Sequence, residues 1–196
     1  DAYYNRGYAK DESKDYYGAI SDYTKAIEID PNDVDAYINR GISKRKLKDY
    51  YGAISDYTKA IEINPNDPDA YYNRGNAKSD IEDYYGAISD YTKAIEINPQ
   101  SYKAYYNRAY AKDELKDYYG AISDYTKAIE LDPKETKAYF NRGWSKGKLN
   151  DYYGAISDYT KAIEIDRNFK EAYFNRGLSK RYLEDHYGAI SDYIKA

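Results

Sequence analysis

The 196 residues contain no cysteine. That excludes disulfides, thiol catalysis and thiolate metal sites, and it is compatible with any compartment. The single histidine, His186, leaves no His pair for a metal and no histidine-based triad. It stands where the other copies of its segment carry Tyr, so it is read as a packing substitute. No apolar run approaches a membrane span, and the mean hydropathy is −1.02. No membrane partner is expected. Charge of one sign is also scarce: 30 Lys+Arg face 34 Asp+Glu, for a net charge of −4. A nucleic-acid binder would carry a basic excess, so no nucleic-acid partner is expected. The glycines recur at a constant interval and form no phosphate loop. With no catalytic constellation, the expectation is a non-enzyme without cofactor or metal. No signal peptide is visible and the chain begins without Met inside a repeat, which leaves localisation open, with the cytoplasm as default.

What the chain does have is repetition. Gly-Ala-Ile-Ser-Asp-Tyr starts at Gly18, Gly52, Gly86, Gly120, Gly154 and Gly188, always 34 residues apart. Asn-Arg at Asn5, Asn39, Asn73, Asn107, Asn141 and Asn175 keeps the same step. A constant period of this size means a stacked array in which each unit leans on its neighbours. The expected organisation is a single array over residues 1–196, with repeats 1–34, 35–68, 69–102, 103–136, 137–170 and an incomplete 171–196. The 30 Tyr against 3 Phe and 1 Trp read as a thin core whose side chains reach water at one end.

One unit, Asp35 to Pro68, shows the grammar. Asp35 to Leu47 has no internal Pro, and Tyr37, Gly41 and Lys44 share one helical face. Lys48-Asp49 breaks the pattern, with Asp49 as N-cap of a second helix. In that helix Tyr50, Ile54, Tyr57 and Ile61 form the apolar stripe, flanked by Ala53 and Ala60. Pro65 ends it, and Asp67-Pro68 reads as an N-cap followed by proline at the first helical position. Asp33 and Ser101 are read as equivalent caps; Phe169 is not. Arg167 stands where other repeats have Pro, so the turn between repeats five and six is expected to be the least regular. Gly7, Gly41, Gly75, Gly143 and Gly177 sit mid-helix, where Gly costs about 1 kcal/mol relative to Ala. Close helix contact is the expected offset, with Ala19 and Ala26 and their counterparts as the matching small surface. The sequence offers no packing reason for Gly18 and its copies.

A 34-residue two-helix unit with Tyr3, Gly7, Ala19, Tyr23, Ala26 and Pro31 in these places resembles the tetratricopeptide repeat. The match recurs through nearly the whole chain. The resemblance implies an all-α fold, a right-handed α-solenoid superhelix of stacked antiparallel helix pairs. First helices would line a concave groove, and the usual role is a non-enzymatic scaffold that binds peptides or proteins. The chain departs from the family pattern around the glycine, where Arg precedes it and Lys follows three residues later: Arg6 and Lys10, Arg40 and Lys44, Arg74 and Lys78, Arg108 and Lys112, Arg142 and Lys146, Arg176 and Lys180.

Like charges at i, i+4 repel, so something negative is expected opposite. One source is internal: Asp22, Asp56, Asp90, Asp124, Asp158 and Asp192, one per second helix, suit bidentate Arg contacts. The other is an acidic peptide in the groove. One branch of the family grips a C-terminal carboxylate, and that clamp maps here onto Asn76, Asn107 and the pair Arg142 and Lys146, with Tyr72 in place of its leading Lys. The candidate peptide-binding groove is therefore Asn39, Arg40, Lys44, Asn73, Arg74, Asn76, Lys78, Asn107, Arg108, Lys112, Asn141, Arg142, Trp144 and Lys146. Tyr4, Ile38, Tyr72, Tyr106, Phe140 and Phe174 either line the same groove or pack inside the array. Trp144, alone of its kind at a variable slot, is the anchor candidate. The slots around Asp11, Arg45, Ser79, Asp113, Gly147 and Arg181 vary most between copies, whereas second helices barely vary.

Two functional readings follow. The first is a scaffold binding a peptide or protein segment, with acidic side chains expected from the basic ladder. The alternative is a structural protein that forms a filament or spacer by continuing its own solenoid, because neither end shows the polar cap a solenoid needs.

Overall fold

The computed structural model describes residues 2–196; Asp1, where the first repeat was expected to start, lies outside the described residues. Those residues form twelve helices and no strand. They fall into two compact units, Asp1–Pro99 and Gln100–Ala196. The first holds α1 (Ala2–Glu12), α2 (Tyr16–Ile29), α3 (Val34–Lys46), α4 (Tyr50–Ile63), α5 (Pro68–Asp80) and α6 (Tyr84–Ile97). The second holds α7 (Tyr102–Glu114), α8 (Tyr118–Leu131), α9 (Thr136–Lys148), α10 (Tyr152–Ile165), α11 (Lys170–Tyr182) and α12 (His186–Lys195). Within each unit every helix packs on the next in chain order. The first helices of neighbouring pairs also touch, α1 to α3 and α3 to α5 in one unit, α7 to α9 and α9 to α11 in the other. This is the all-α solenoid of stacked helix pairs that the period predicts.

The boundaries follow from local chemistry. Asp49 caps α4 by accepting from the Gly52 amide at 3.0 Å, and Asp15, Asp83, Asp117, Asp151 and Asp185 do the same for their helices. The residue before the cap, Lys48, takes a left-handed φ of 64°, as do its counterparts in the other repeats. Asp33, Asp67 and Ser101 cap α3, α5 and α7, with Pro68 opening α5. Phe169 offers no capping bond, as expected.

Gly18 and its copies now have a reason. A Cβ at Gly52 would stand 2.7 Å from the Asp49 carboxyl carbon. Glycine in the first turn therefore makes room for the capping carboxylate. The mid-helix glycines answer to a different neighbour. A Cβ at Gly41 would fall 2.6 Å from the Tyr57 ring, and one at Gly75 2.7 Å from Tyr91. The surface that needs the glycine is this tyrosine ring, not the alanines expected to match it.

Three further expectations are corrected. The buried stripe of the second helix is Ala53, Asp56, Tyr57 and Ala60; Ile54 and Ile61 flank it, half-buried. Alanine wins the centre because it lets the facing helix come close while Tyr57 fills the remaining volume. The turn after α10 is as regular as the others despite Arg167, because the Asp166 carboxylate accepts from the Asn168 amide at 2.9 Å and holds the chain without proline. His186 is exposed rather than packed. Tyr118 and Tyr152, its counterparts, lie against Trp144 and Tyr182 of the following repeat, and His186 has no following repeat among the described residues.

The charged ladder and a tryptophan cleft

The ladder closes internally. Arg142 donates from Nε and Nη2 to the two carboxylate oxygens of Asp158, at 2.9 and 2.6 Å. Lys146 donates to the same carboxylate at 2.8 Å. The pattern repeats with Arg6 and Lys10 on Asp22, Arg40 and Lys44 on Asp56, Arg74 and Lys78 on Asp90, Arg108 and Lys112 on Asp124, and Arg176 and Lys180 on Asp192. One buried carboxylate thus takes three charge-assisted bonds from two cations four residues apart on the facing helix. The Arg6 side chain together with Lys10 holds Asp22 far below the usual carboxylate range. Asp192 is lowered as well: burial opposes its ionisation, and the Arg176 and Lys180 bonds outweigh that cost.

A third link was not foreseen. Arg40 Nη1 donates to Thr24 Oγ1 at 3.1 Å, and Arg74, Arg142 and Arg176 reach Thr58, Thr126 and Thr160 in the same way. Each guanidinium therefore ties the second helix of its own repeat to that of the preceding one. Its flat face lies over the tyrosine three residues earlier, as with Arg40 over Tyr37 at 5.4 Å. Arg6 makes no such threonine bond, and its side chain is 60% exposed against 13–18% for the other five.

The asparagines divide. Asn39 donates to the Tyr4 hydroxyl and Asn141 to the Tyr106 hydroxyl, at 2.8 and 2.9 Å. Asn73 bonds the Asp69 carbonyl of its own helix. Asn76 is buried and accepts from the Tyr91 hydroxyl at 2.9 Å, so the first asparagine of the expected clamp is part of the first unit's interior. Asn107 lies half-buried on α7 of the second unit. The aromatics one turn before the variable slot pack inward: Tyr4, Tyr72, Tyr106, Phe140 and Phe174 each meet the tyrosine nineteen residues later, at 5.6 to 6.0 Å.

Trp144 is placed differently. It is half-buried on α9 and lines two neighbouring clefts of the second unit. The smaller, about 170 Å³, is bounded by Tyr110, Phe140 and Trp144, with Tyr125 at its base and Asp113, Glu114 and Asn141 at its edge. The larger, about 280 Å³, runs from Trp144 and Lys148 to Leu178 and Tyr182. Lys148 stands over the indole at 4.8 Å.

Asp113 is the least ordinary group here. It is 6% exposed. Ser145 Oγ of the next repeat lies within hydrogen-bonding distance of both carboxylate oxygens, 2.7 and 3.0 Å. Burial pushes its carboxyl up to about 6; the Ser145 bond and the nearby Tyr125 hydroxyl oppose that shift, and the Glu114 and Asp117 charges add to it. Burial likewise raises the Tyr125 hydroxyl above the usual phenol range. Sequence reasoning flagged the Asp113 slot as variable but missed its role, because its partner lies 32 residues away in another repeat. The same bond joins Ser43 to Asp11, at 2.6 Å.

Among the described residues no cluster of His or acidic side chains fits a metal ion, and no helix is long and apolar enough to cross a membrane. Sequence models described as tetratricopeptide repeat match residues 1–33, 68–101, 102–135 and 136–169, and further models of the repeat match 41–81 and 22–55. No curated protein sequence matches the chain. Solved structures do. A crystal structure of MamA is 27% identical, over 83% of this chain and 88% of its own, with a TM-score of 0.79. YrrB, described as a TPR protein with an unusual peptide-binding site, is 26% identical over 88% of this chain and 89% of its own, with a TM-score of 0.78. PilF of Pseudomonas aeruginosa, 18% identical over 98% of this chain and 87% of its own, shares the fold with a TM-score of 0.84. With the helix pairs, the small-residue contacts and the matched repeats in agreement, the chain belongs to the tetratricopeptide repeat family.

Proposed function

We propose that this chain is a non-enzymatic interaction scaffold whose second unit binds a peptide segment across the clefts on either side of Trp144. The observation that carries this reading is the contrast between the ladder and the tryptophan. Every ladder cation is already engaged with a buried aspartate. Trp144 instead joins two adjoining recesses, one edged by carboxylates and one by Lys148. A half-buried Trp between pockets is the type of side chain that dominates binding energy. The likeness to YrrB supports a peptide as the ligand class. Of the groove residues expected from the sequence, Asn141 and Trp144 are the contacts in this reading. The Arg and Lys residues hold the helices that present them. An acidic partner was expected from unpaired cations, and their pairing removes that motive.

The reading is tested by enriching random displayed peptides on the pure protein and re-measuring capture by variants. Trp144→Ala is expected to weaken capture by at least about tenfold, as for an interface hot spot. Tyr153→Ala, at an exposed site in the first turn of α10, is expected to leave it unchanged. Equal capture by wild type and Trp144→Ala would remove the proposal. A second reading, self-association, is favoured by Phe174, Ile190 and Ile194, which are exposed on α11 and α12; a single monomeric species in sedimentation at high concentration would remove it.

A further inference from the structure

We propose that the smaller cleft, between Tyr110 and Trp144, is a receptor for a cationic side chain, Lys or Arg, of the bound peptide. The inference rests on the peptide-scaffold reading and adds the chemistry of one subsite. Its walls are aromatic: Tyr110, Phe140 and Trp144, with Tyr125 below. Aromatic faces attract cations through the ring quadrupole, most strongly for Trp and where water is excluded. Its edge carries two carboxylates, Asp113 and Glu114. The Tyr125 hydroxyl is buried beside Asp113 and Asn141 without a hydrogen bond of acceptable geometry, so the base holds an acceptor that a donor can satisfy. Lys148, which already stands on the Trp144 ring, lines the other cleft.

Two repeats earlier the slot of Asp113 is Arg45, whose half-buried guanidinium bonds Asp80 of the next repeat. The counterparts of that pair two repeats on are Asp113 and Lys148, with the charges exchanged. Lys148 stands on the Trp144 ring, and Asp113 takes its bond from Ser145 instead of from a cation. The exchange leaves Asp113 and Glu114 as an acidic edge of the small cleft, to be met by a cation from the peptide. The first repeat has the same Tyr8, Asp11, Glu12, Tyr23 and Asn39, but Ile38 and Ile42 replace Phe140 and Trp144. Those changes remove two of the three aromatic walls and provide an internal control.

Trp144 is the single Trp of the chain, so its fluorescence and its indole N–H resonance report on the two clefts it lines, and the variants at Asp113 and Glu114 assign the response to the smaller one. The probes are blocked peptides acetyl-Gly-Gly-X-Gly-Gly-amide, with X as Lys, Arg, norleucine or Glu. Lys and Arg peptides are expected to shift the indole signal saturably, with norleucine and Glu weaker by about tenfold or more. The preference is expected to shrink at high ionic strength. Glu114→Gln, at an exposed position, is expected to reduce it without touching the fold, and Asp113→Asn with Glu114→Gln to abolish it. Circular dichroism verifies that both variants are folded. Equal response to norleucine, a preference for Glu, no response to any probe, or a Lys preference unaffected in the double variant would each overturn the inference. None of these outcomes decides the displayed-peptide experiment, which stands or falls on Trp144→Ala.

Discussion

Replacing Asp158 by Ala leaves Arg142 and Lys146 facing each other with no counter-charge. Their side chains are only 15% and 21% exposed, so water screens the remaining repulsion poorly. Three charge-assisted bonds are lost at once, at 2.6, 2.8 and 2.9 Å. Removing one partner of a buried ion pair costs about 3–5 kcal/mol; partial exposure of the cations puts this site at the lower end, about 3 kcal/mol. Urea unfolding followed by circular dichroism is the assay, with the slope of the transition compared between variants. Asp22→Ala is the matched control. It removes the same three bonds, but Arg6 is 60% exposed and has no threonine bond to a preceding repeat. A clearly smaller loss is expected there. Equal losses at the two sites, or a loss at Asp158 below about 1 kcal/mol, would refute the view that Arg142 is a buried tie between repeats.

Two helix glycines, Gly41 in the middle of α3 and Gly147 in the last turn of α9, are expected to respond with opposite signs. Gly41→Ala gains about 1 kcal/mol of helix propensity but drives a Cβ to 2.6 Å from the Tyr57 ring, and overpacking costs about 1–3 kcal/mol, so the melting temperature falls. Gly147→Ala meets nothing within 4 Å and is expected to raise it. The pH dependence separates two kinds of aspartate. Asp113 has its folded value raised to about 6 from 3.8, so the folded state holds the proton more tightly. Its stabilising share is complete below the unfolded value and is lost as pH rises through 6, at up to about 1.4 kcal/mol per pH unit. Asp113→Asn is expected to flatten stability between pH 5 and pH 7. Asp22 and Asp192 are lowered, so their share is present above the ordinary carboxylate value and is lost only on stronger acidification. Chemical unfolding at a series of pH values checks both.

The helix pairs were legible because period, caps and prolines are local signals. Asp49, Asp67 and Ser101 announced the starts of α4, α5 and α7, and each caps as its side chain suggests. The Arg–Asp ladder was legible as one of two options, since like charges at i, i+4 demand a counter-charge but do not say where it sits. Three things were hidden. The role of Gly52 depends on the volume of the Asp49 carboxylate, which no helical pattern encodes. The buried face kept Tyr57 but centred on Ala53 and Ala60, with Ile54 half-buried beside them and the Ile61 position at the edge of the core (its counterparts Ile27, Ile95, Ile129 and Ile163 are buried), because hydrophobicity predicts which side chains avoid water but not how closely two helices approach. The Asp113 to Ser145 bond joins variable slots of different repeats. Only the repeat stacking brings them together, and the cleft beside Trp144 comes with it.

The most direct measurement places a photo-cross-linking benzoylphenylalanine at the position of Tyr110, which is 42% exposed at the small cleft, or of Tyr153, 76% exposed in the first turn of α10. After irradiation with an enriched peptide, the covalent adduct is expected from position 110 and not from position 153. Adducts from position 153 alone would contradict a working surface centred on Trp144.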